Sequence, residues 1–123
     1  MTETDINANG VIIPQGASGA VPSEEEVNIC MEFLRQCLRT KRGRAYSYGL
    51  KHVIQRWAGK YVSNGATIAA AIRLGLTTTH ERGGPNCWIG VRVRSIEKLS
   101  GTPWCAVPVV ASEEPKDGSS EAV

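Results

Sequence analysis

The sequence lacks several features by which membrane, metal-binding and disulfide-bonded secreted proteins are recognised. It has one phenylalanine, and no apolar run approaches the roughly 20 residues needed to cross a bilayer. Its four cysteines form neither a CxxC pair nor a zinc-ligand spacing. The N-terminus is polar and acidic, unlike a signal peptide. We therefore expect a soluble cytoplasmic protein with no membrane association, no metal and no disulfide.

Catalytic side chains are also scarce. His52 and His80 are the only histidines, and the three acidic residues of segment 27–111 are scattered along it. Metal-dependent phosphoryl transfer and nuclease chemistry need paired carboxylates, and no glycine-rich phosphate loop with lysine is present. His80 with Glu81 and Cys87 could supply a base and a nucleophile, but no third residue orients them. We predict a protein that is not an enzyme and needs no cofactor.

Charge is distributed unevenly along the chain. The formal net charge is +2, but residues 27–111 contain 13 basic and three acidic side chains, a surplus of +10. The other nine acidic residues lie outside this segment, together with one lysine. A compact domain with such a surplus attracts polyanions. The alternative is that the basic side chains only solvate the surface, and we favour the polyanion interpretation.

Composition divides the chain into three parts. Residues 1–22 are rich in Gly, Asn, Ser, Ala and Pro, and we predict a disordered N-terminal arm, with the apolar residues 11–13 as a candidate for a short docking or strand segment. Residues 23–111 are predicted to form one basic domain. Residues 112–123 are acidic and serine-rich, which predicts a disordered tail.

Three helices are predicted at the start of the basic domain. The first begins at Ser23, where a glutamate three residues later matches a capping box, and its apolar stripe over residues 27–38 has helical spacing. A basic last turn before Gly43 ends it. The second helix extends from about residue 47 to 58, and the third from the N-cap Ser63 to residue 74. A glycine follows each of them.

A β-hairpin is predicted after the helices. Residues 87–95, CWIGVRVRS, alternate in polarity, which is typical of a half-buried strand with Arg92 and Arg94 on its outer face. Residues 103–110, PWCAVPVV, are predicted to return as an edge strand. The resulting fold class is α+β: a three-helix helix-turn-helix core followed by a β-hairpin, as in a winged helix.

The segment YVSNGATIAAAIRLG resembles the start of the recognition helix in helix-turn-helix DNA-binding proteins, and the resemblance covers residues 47–74. It implies that the third helix enters the major groove of duplex DNA. Asn64, Thr67 and Arg73 would then face bases, and Ser63 a phosphate. The competing interpretation is that this alanine-rich helix is packed tightly within the core.

The other basic side chains near this unit are predicted to contact phosphates. They lie between the first two helices, on or after the second helix, and on the predicted strand: Arg39, Lys41, Arg42, Arg44, Lys51, Lys60, Arg92 and Arg94.

The leading hypothesis is a small transcriptional regulator, phage-like or plasmid-like in size, that binds duplex DNA as a monomer or homodimer. Two alternatives stay open. One is an adaptor or inhibitor whose basic face docks an acidic protein. The other is a module that binds RNA or single strands through its tyrosines.

Overall fold

The computed structural model describes residues 1–14, 16 and 19–104. Within these residues the chain is α+β, as predicted from the sequence. A 3₁₀ turn (Glu3–Asp5) precedes the regular elements, which are β1 (Ile6–Asn7), β2 (Gly10–Val11), α1 (Glu24–Leu34), β3 (Ala45–Tyr46), α2 (Ser47–Ala58), α3 (Asn64–Arg73), β4 (Thr78–His80), β5 (Cys87–Ile89) and α4 (Val93–Ser100). Helices and strands interleave, so the predicted order of three helices followed by a hairpin is not confirmed.

Helix α1 begins where the sequence predicts and ends earlier than predicted. The Ser23 hydroxyl accepts a hydrogen bond from the N–H of Glu26 at 3.4 Å, which caps the helix. The helix ends at Leu34 instead of continuing to the basic turn before Gly43. The N–H of Leu38 donates to Ser95 Oγ at 3.1 Å, a long-range contact that draws the chain away from the helix axis.

The bounds of α2 and α3 agree closely with those predicted. Gly59 closes α2 in the left-handed conformation, with φ of 70°, and its N–H donates to the carbonyl of Gln55 at 2.9 Å. Ser63 Oγ accepts a hydrogen bond from the N–H of Ala66 at 3.0 Å at the start of α3. Local capping chemistry therefore determines these helix ends.

The segment from Ile6 to Val11 is part of the folded domain, in contrast to the disordered arm predicted over residues 1–22. Strands β1 and β2 pair antiparallel, with Ile6 opposite Val11. Both side chains are buried in a cluster with Ile68 of α3. The N–H of Gly65 donates to the carbonyl of Ala8 at 3.1 Å, which joins this strand pair to α3 by backbone as well. The burial of Ile6 and Val11 therefore docks a segment whose composition is otherwise polar.

Helix α3 lies in the core. Each residue from Asn64 to Ala71 is buried, and the helix packs against α1, α2 and the β1–β2 pair. Alanines 66, 69, 70 and 71 let these neighbours approach closely. Helix α3 is therefore the tightly packed core helix of the competing interpretation.

A three-stranded antiparallel sheet has the order β3-β5-β4. Strand β5 ends at Ile89, and α4 occupies residues where the sequence alternation predicted the end of a strand. The apolar residues Val93, Ile96 and Leu99 recur at helical spacing, and burial of Ile96 selects the helix over the strand. The prediction of a single strand over residues 87–95 is therefore wrong in its second half, which is helical. Residues 105–110 of the predicted returning strand, and the predicted acidic tail, lie outside the described residues.

Three cysteines are free thiols with buried side chains: Cys30, Cys37 and Cys87. Burial raises the pKa of Cys30 to about 12 and that of Cys37 and Cys87 to about 11. Cys105 lies outside the part of the chain that the structure describes.

These thiols are expected to resist alkylation in the native protein. The thiolate is the reactive form, and burial both suppresses it and blocks the reagent. Treatment with iodoacetamide at mildly alkaline pH, followed by peptide mass mapping, should leave Cys30 and Cys87 unmodified in the native protein. Both should be modified in denaturant, which serves as the control. Rapid labelling of Cys30 without denaturant would contradict its buried position.

Candidate nucleic-acid interface

The residues predicted to read bases from α3 are mostly internal. Asn64 is 7% exposed and Thr67 is fully buried. Thr67 Oγ1 donates to the carbonyl of Ser63 at 3.1 Å, so its hydroxyl serves the helix itself. A groove-reading helix must present such side chains to solvent. This face of α3 is therefore not available to read bases, because α1, α2 and the β1–β2 pair cover it.

Arg73, the third residue predicted to face bases, is engaged with acidic side chains. Its guanidinium is ion-paired with Glu3, at 2.9 Å from Nε, and with Glu24. The hydrogen bond from Arg73 lowers the pKa of the Glu24 carboxyl. Arg73 thus connects the N-terminal segment to the start of α1, a structural role.

The acidic first turn of α1 binds two more of the residues that were predicted to contact phosphates. Lys60 Nζ lies 2.9 Å from Glu25 Oε2 in an exposed ion pair. The N–H of Ser63 donates to Glu26 Oε1 at 2.9 Å, while its hydroxyl caps α3. Ser63 is buried, so it is not positioned to hold a phosphate.

Arg39 and Lys51 also differ from their predicted roles. Arg39 donates to the carbonyls of Leu74 and Gly75, at 2.5 and 3.3 Å, and so caps the C-terminal end of α3. Lys51 is 7% exposed, and its ammonium donates to Gln55 Oε1 at 3.2 Å.

Five of the exposed predicted residues take part in none of the side-chain contacts described above, and they define what we call the basic surface: Lys41, Arg42, Arg44, Arg92 and Arg94. Arg44, Arg92 and Arg94 line one cavity of 420 Å³ together with Thr40 and Val93. None of the ion pairs found in the described ranges involves a residue of the basic surface.

Backbone hydrogen bonds bring the two halves of the basic surface together. The N–H of Thr40 donates to Gly90, and that of Arg44 to Ile89, at 2.9 and 3.0 Å. The N–H of Arg92 donates to the carbonyl of Leu38 at 2.8 Å. A Cβ at Gly90 would lie 2.6 Å from the Thr40 carbonyl oxygen, so glycine permits this close approach.

The N-terminus of α4 adds positive potential at the same place. Arg92 is the N-cap residue and caps without its side chain. Its carbonyl accepts hydrogen bonds from the N–H groups of Ser95 and Ile96. The N–H groups of Val93 and Arg94 come before these first bonds, so they have no acceptor within the helix. Guanidinium groups beside a helix N-terminus favour an anion such as phosphate. Sequence reasoning placed Arg92 and Arg94 on a strand, and the helical spacing beginning at Val93 was the missed signal.

A polar network supports the sheet near the basic surface. The Tyr46 hydroxyl donates to Glu81 Oε1 at 2.6 Å and accepts from Asn86 Nδ2 at 2.9 Å. The Tyr46 ring contacts the ring of Trp88, with centroids 4.7 Å apart. Burial, followed by the hydrogen bond to Glu81, raises the pKa of Tyr46 to about 12.

This shift predicts a loss of stability in alkali. The folded protein holds the Tyr46 proton more tightly than the unfolded chain, whose value is near 10. The stabilisation is therefore complete below pH about 10 and is lost as the pH rises towards about 12. Urea unfolding across this range should show a smaller decline for Tyr46→Phe than for the parent protein. Equal declines would contradict the role of this hydroxyl.

Within residues 1–14, 16 and 19–104, no three His, Cys, Asp or Glu side chains are grouped as metal ligands would be. None of the helices in these ranges has the length and apolar character needed to traverse a bilayer. Comparison of the chain with protein-family models, curated protein sequences and solved structures gives no match.

Proposed function

We propose that the protein binds nucleic acid, with duplex DNA as the primary ligand, through phosphate contacts of the basic surface. The observation that carries the proposal is the convergence of Arg44, Arg92 and Arg94 on one cavity at the start of α4. Arginine pairs with phosphate through two parallel hydrogen bonds, and the helix N-terminus adds attraction for the same anion.

The distribution of ion pairs supports this choice of surface. Glu24 and Glu25 neutralise Arg73 and Lys60 at the other predicted contacts. The basic surface has no ion pair within the described residues, so its positive charge is available to an external partner. Phosphate contacts set affinity and position without specifying sequence. The proposal therefore assigns no base reading to α3, and regulation of transcription would require specificity from another part of the complex.

The test is the salt dependence of binding. A fluorescently labelled duplex of random sequence is titrated with the protein at several salt concentrations, and anisotropy is measured. Five phosphate contacts predict a slope of log Kobs against log salt of about −4 to −5. Absence of binding at low salt would refute the proposal.

An acidic polypeptide provides the comparison with the adaptor hypothesis. Polyglutamate of similar charge should compete with DNA only weakly, because carboxylates along a flexible chain lack the spacing of duplex phosphates. Equal or tighter binding of polyglutamate would favour a protein partner. Deleting residues 112–123 should tighten DNA binding if this acidic segment competes for the basic surface.

A further inference from the structure

The outer face of the three-stranded sheet carries an exposed tryptophan. Strand β5 is the middle strand, so its backbone is covered by β3 on one side and by β4 on the other. Trp88 is nevertheless 39% exposed, whereas its neighbours Cys87 and Ile89 are fully buried. Side chains alternate between the two faces of a strand, so the accessible area of Trp88 lies mainly on its indole, on the face opposite the core.

Neighbouring strands support this indole on one side. Tyr46 of β3 and Thr79 of β4 lie opposite Trp88 in the register of the sheet. The rings of Tyr46 and Trp88 have centroids 4.7 Å apart, and the Tyr46 hydroxyl is held by Glu81 and Asn86. Thr79, on the other side, is a small and exposed residue. The indole is therefore held in place before a ligand arrives, which lowers the entropic cost of binding a flat ring.

The basic surface begins beside the same indole. Gly43 lies between Arg42 and Arg44 in the chain, and a Cβ on it would be 2.6 Å from the Trp88 Cβ. Consecutive Cα atoms are about 3.8 Å apart, so both arginines start within one residue of this contact. Arg44 also lines the cavity at the start of α4. An aromatic ring and a phosphate-binding cavity therefore adjoin.

A phosphate ligand alone does not use this tryptophan. The face of an indole ring carries the negative part of its quadrupole, so it attracts cations and flat rings and not anions. In duplex DNA the bases stack on one another and present only their edges in the grooves. Proteins that bind unpaired nucleotides combine an exposed aromatic ring, on which a base stacks, with cations that contact the backbone. The surroundings of Trp88 have this combination.

We propose that Trp88 stacks on an unpaired base whose own phosphate is held by Arg44, so that the preferred ligand is a duplex with a single-stranded overhang. This inference rests on the proposed function, because the basic surface holds the phosphates of the duplex. Only the sugar separates a base from its phosphate, which suits the short distance between the indole and Arg44. Stacking uses the ring face that every base has, so the overhang is expected to be bound whatever its sequence.

The experiment compares three labelled duplexes of one sequence by anisotropy: blunt, with an overhang of three thymidines, and with an overhang of three abasic sites. The abasic overhang has the same phosphates but no bases, so the comparison separates stacking from charge. The thymidine overhang should bind the full chain at least about 5-fold more tightly than the abasic overhang. Equal affinity for the two overhangs would overturn the inference.

Two variants assign the difference to one tryptophan. Trp88→Leu keeps an apolar side chain against Tyr46 but removes the aromatic face, so the thymidine and abasic overhangs should bind it equally. Trp57 of α2 is 37% exposed, and Trp57→Leu is the matched control, which should retain the difference. Both variants should bind the abasic overhang about as tightly as the parent protein, which also shows that they are folded. A difference that persists in Trp88→Leu, or that disappears in both variants, excludes the stacking site.

The indole N–H signals of the ¹⁵N-labelled parent chain give a readout that does not depend on a variant's stability. The Trp88 signal, identified by its loss in Trp88→Leu, should shift much further with the thymidine overhang than with the blunt or abasic duplex.

The outcomes separate this site from the proposed function. Blunt duplex that binds as tightly as the thymidine overhang leaves the proposed function standing and overturns the inference. Binding of the thymidine overhang, without binding of the blunt duplex at low salt, refutes duplex DNA as the primary ligand and supports the stacking site. No binding of any of the three DNAs overturns both.

Discussion

Replacing Gly65 by alanine is expected to release the β1–β2 pair from the rest of the domain. A Cβ at this position would lie 1.8 Å from the Asn7 carbonyl oxygen and 2.8 Å from its carbon. Both atoms are backbone, so no rotation of a side chain relieves the clash. The strand pair must move away and expose Ile6 and Val11, which are buried in the native fold.

The expected loss of stability is large. Burying two aliphatic side chains stabilises a fold by about 3–6 kcal/mol, whereas alanine in place of a helical glycine gains only about 1 kcal/mol. Urea unfolding should therefore report a loss of several kcal/mol for Gly65→Ala. Limited proteolysis should also cleave the segment before Pro14 much faster than in the parent protein, because undocked backbone is accessible to protease.

A shortened chain provides the control for the clash. In a chain that begins at Pro14, the backbone of Asn7 is absent, so Gly65→Ala should be neutral or slightly stabilising. The same destabilisation in the long and short chains would show that another contact of α3 is responsible. Unchanged protease resistance of the full-length variant would contradict the docking of β1 and β2.

The helix ends that the sequence predicts correctly depend on local chemistry. Ser23 and Ser63 cap their helices, and Gly59 closes α2, because each acts on backbone groups within four residues. The position of a helix in the fold depends instead on distant residues. Helix α3 is alanine-rich on most sides, so its pattern does not separate a core face from a reading face.

The cover over α3 could not be predicted from composition. Its outer layer includes Ile6 and Val11, two apolar residues in a segment otherwise rich in polar and small residues. The same limit applies to the basic surface. Sequence predicts that Arg44, Arg92 and Arg94 are exposed cations, but their convergence follows from hydrogen bonds between segments about fifty residues apart. Alternation over residues 87–95 also predicts a strand where burial of Ile96 produces a helix.

Substituting both Arg92 and Arg94 by alanine is expected to weaken DNA binding by about 10- to 100-fold near physiological salt. Each phosphate contact contributes about 0.9 to the slope of log Kobs against log salt, so two lost contacts reduce the slope by about 1.8. Anisotropy titrations at several salt concentrations measure both quantities. Thermal unfolding should stay close to that of the parent protein, because both side chains are exposed and outside the ion pairs of the described chain.

The matched control changes the net charge equally at another place. Arg56 and Arg82 are exposed and outside the basic surface, so the double alanine variant should bind DNA within about 3-fold of the parent protein. Equal losses in the two double variants would mean that total charge, and not the basic surface, governs binding. Gly90→Ala keeps every charge but pushes against the Thr40 carbonyl. A loss of affinity there, with all arginines present, would identify the arrangement of the loop as the determinant.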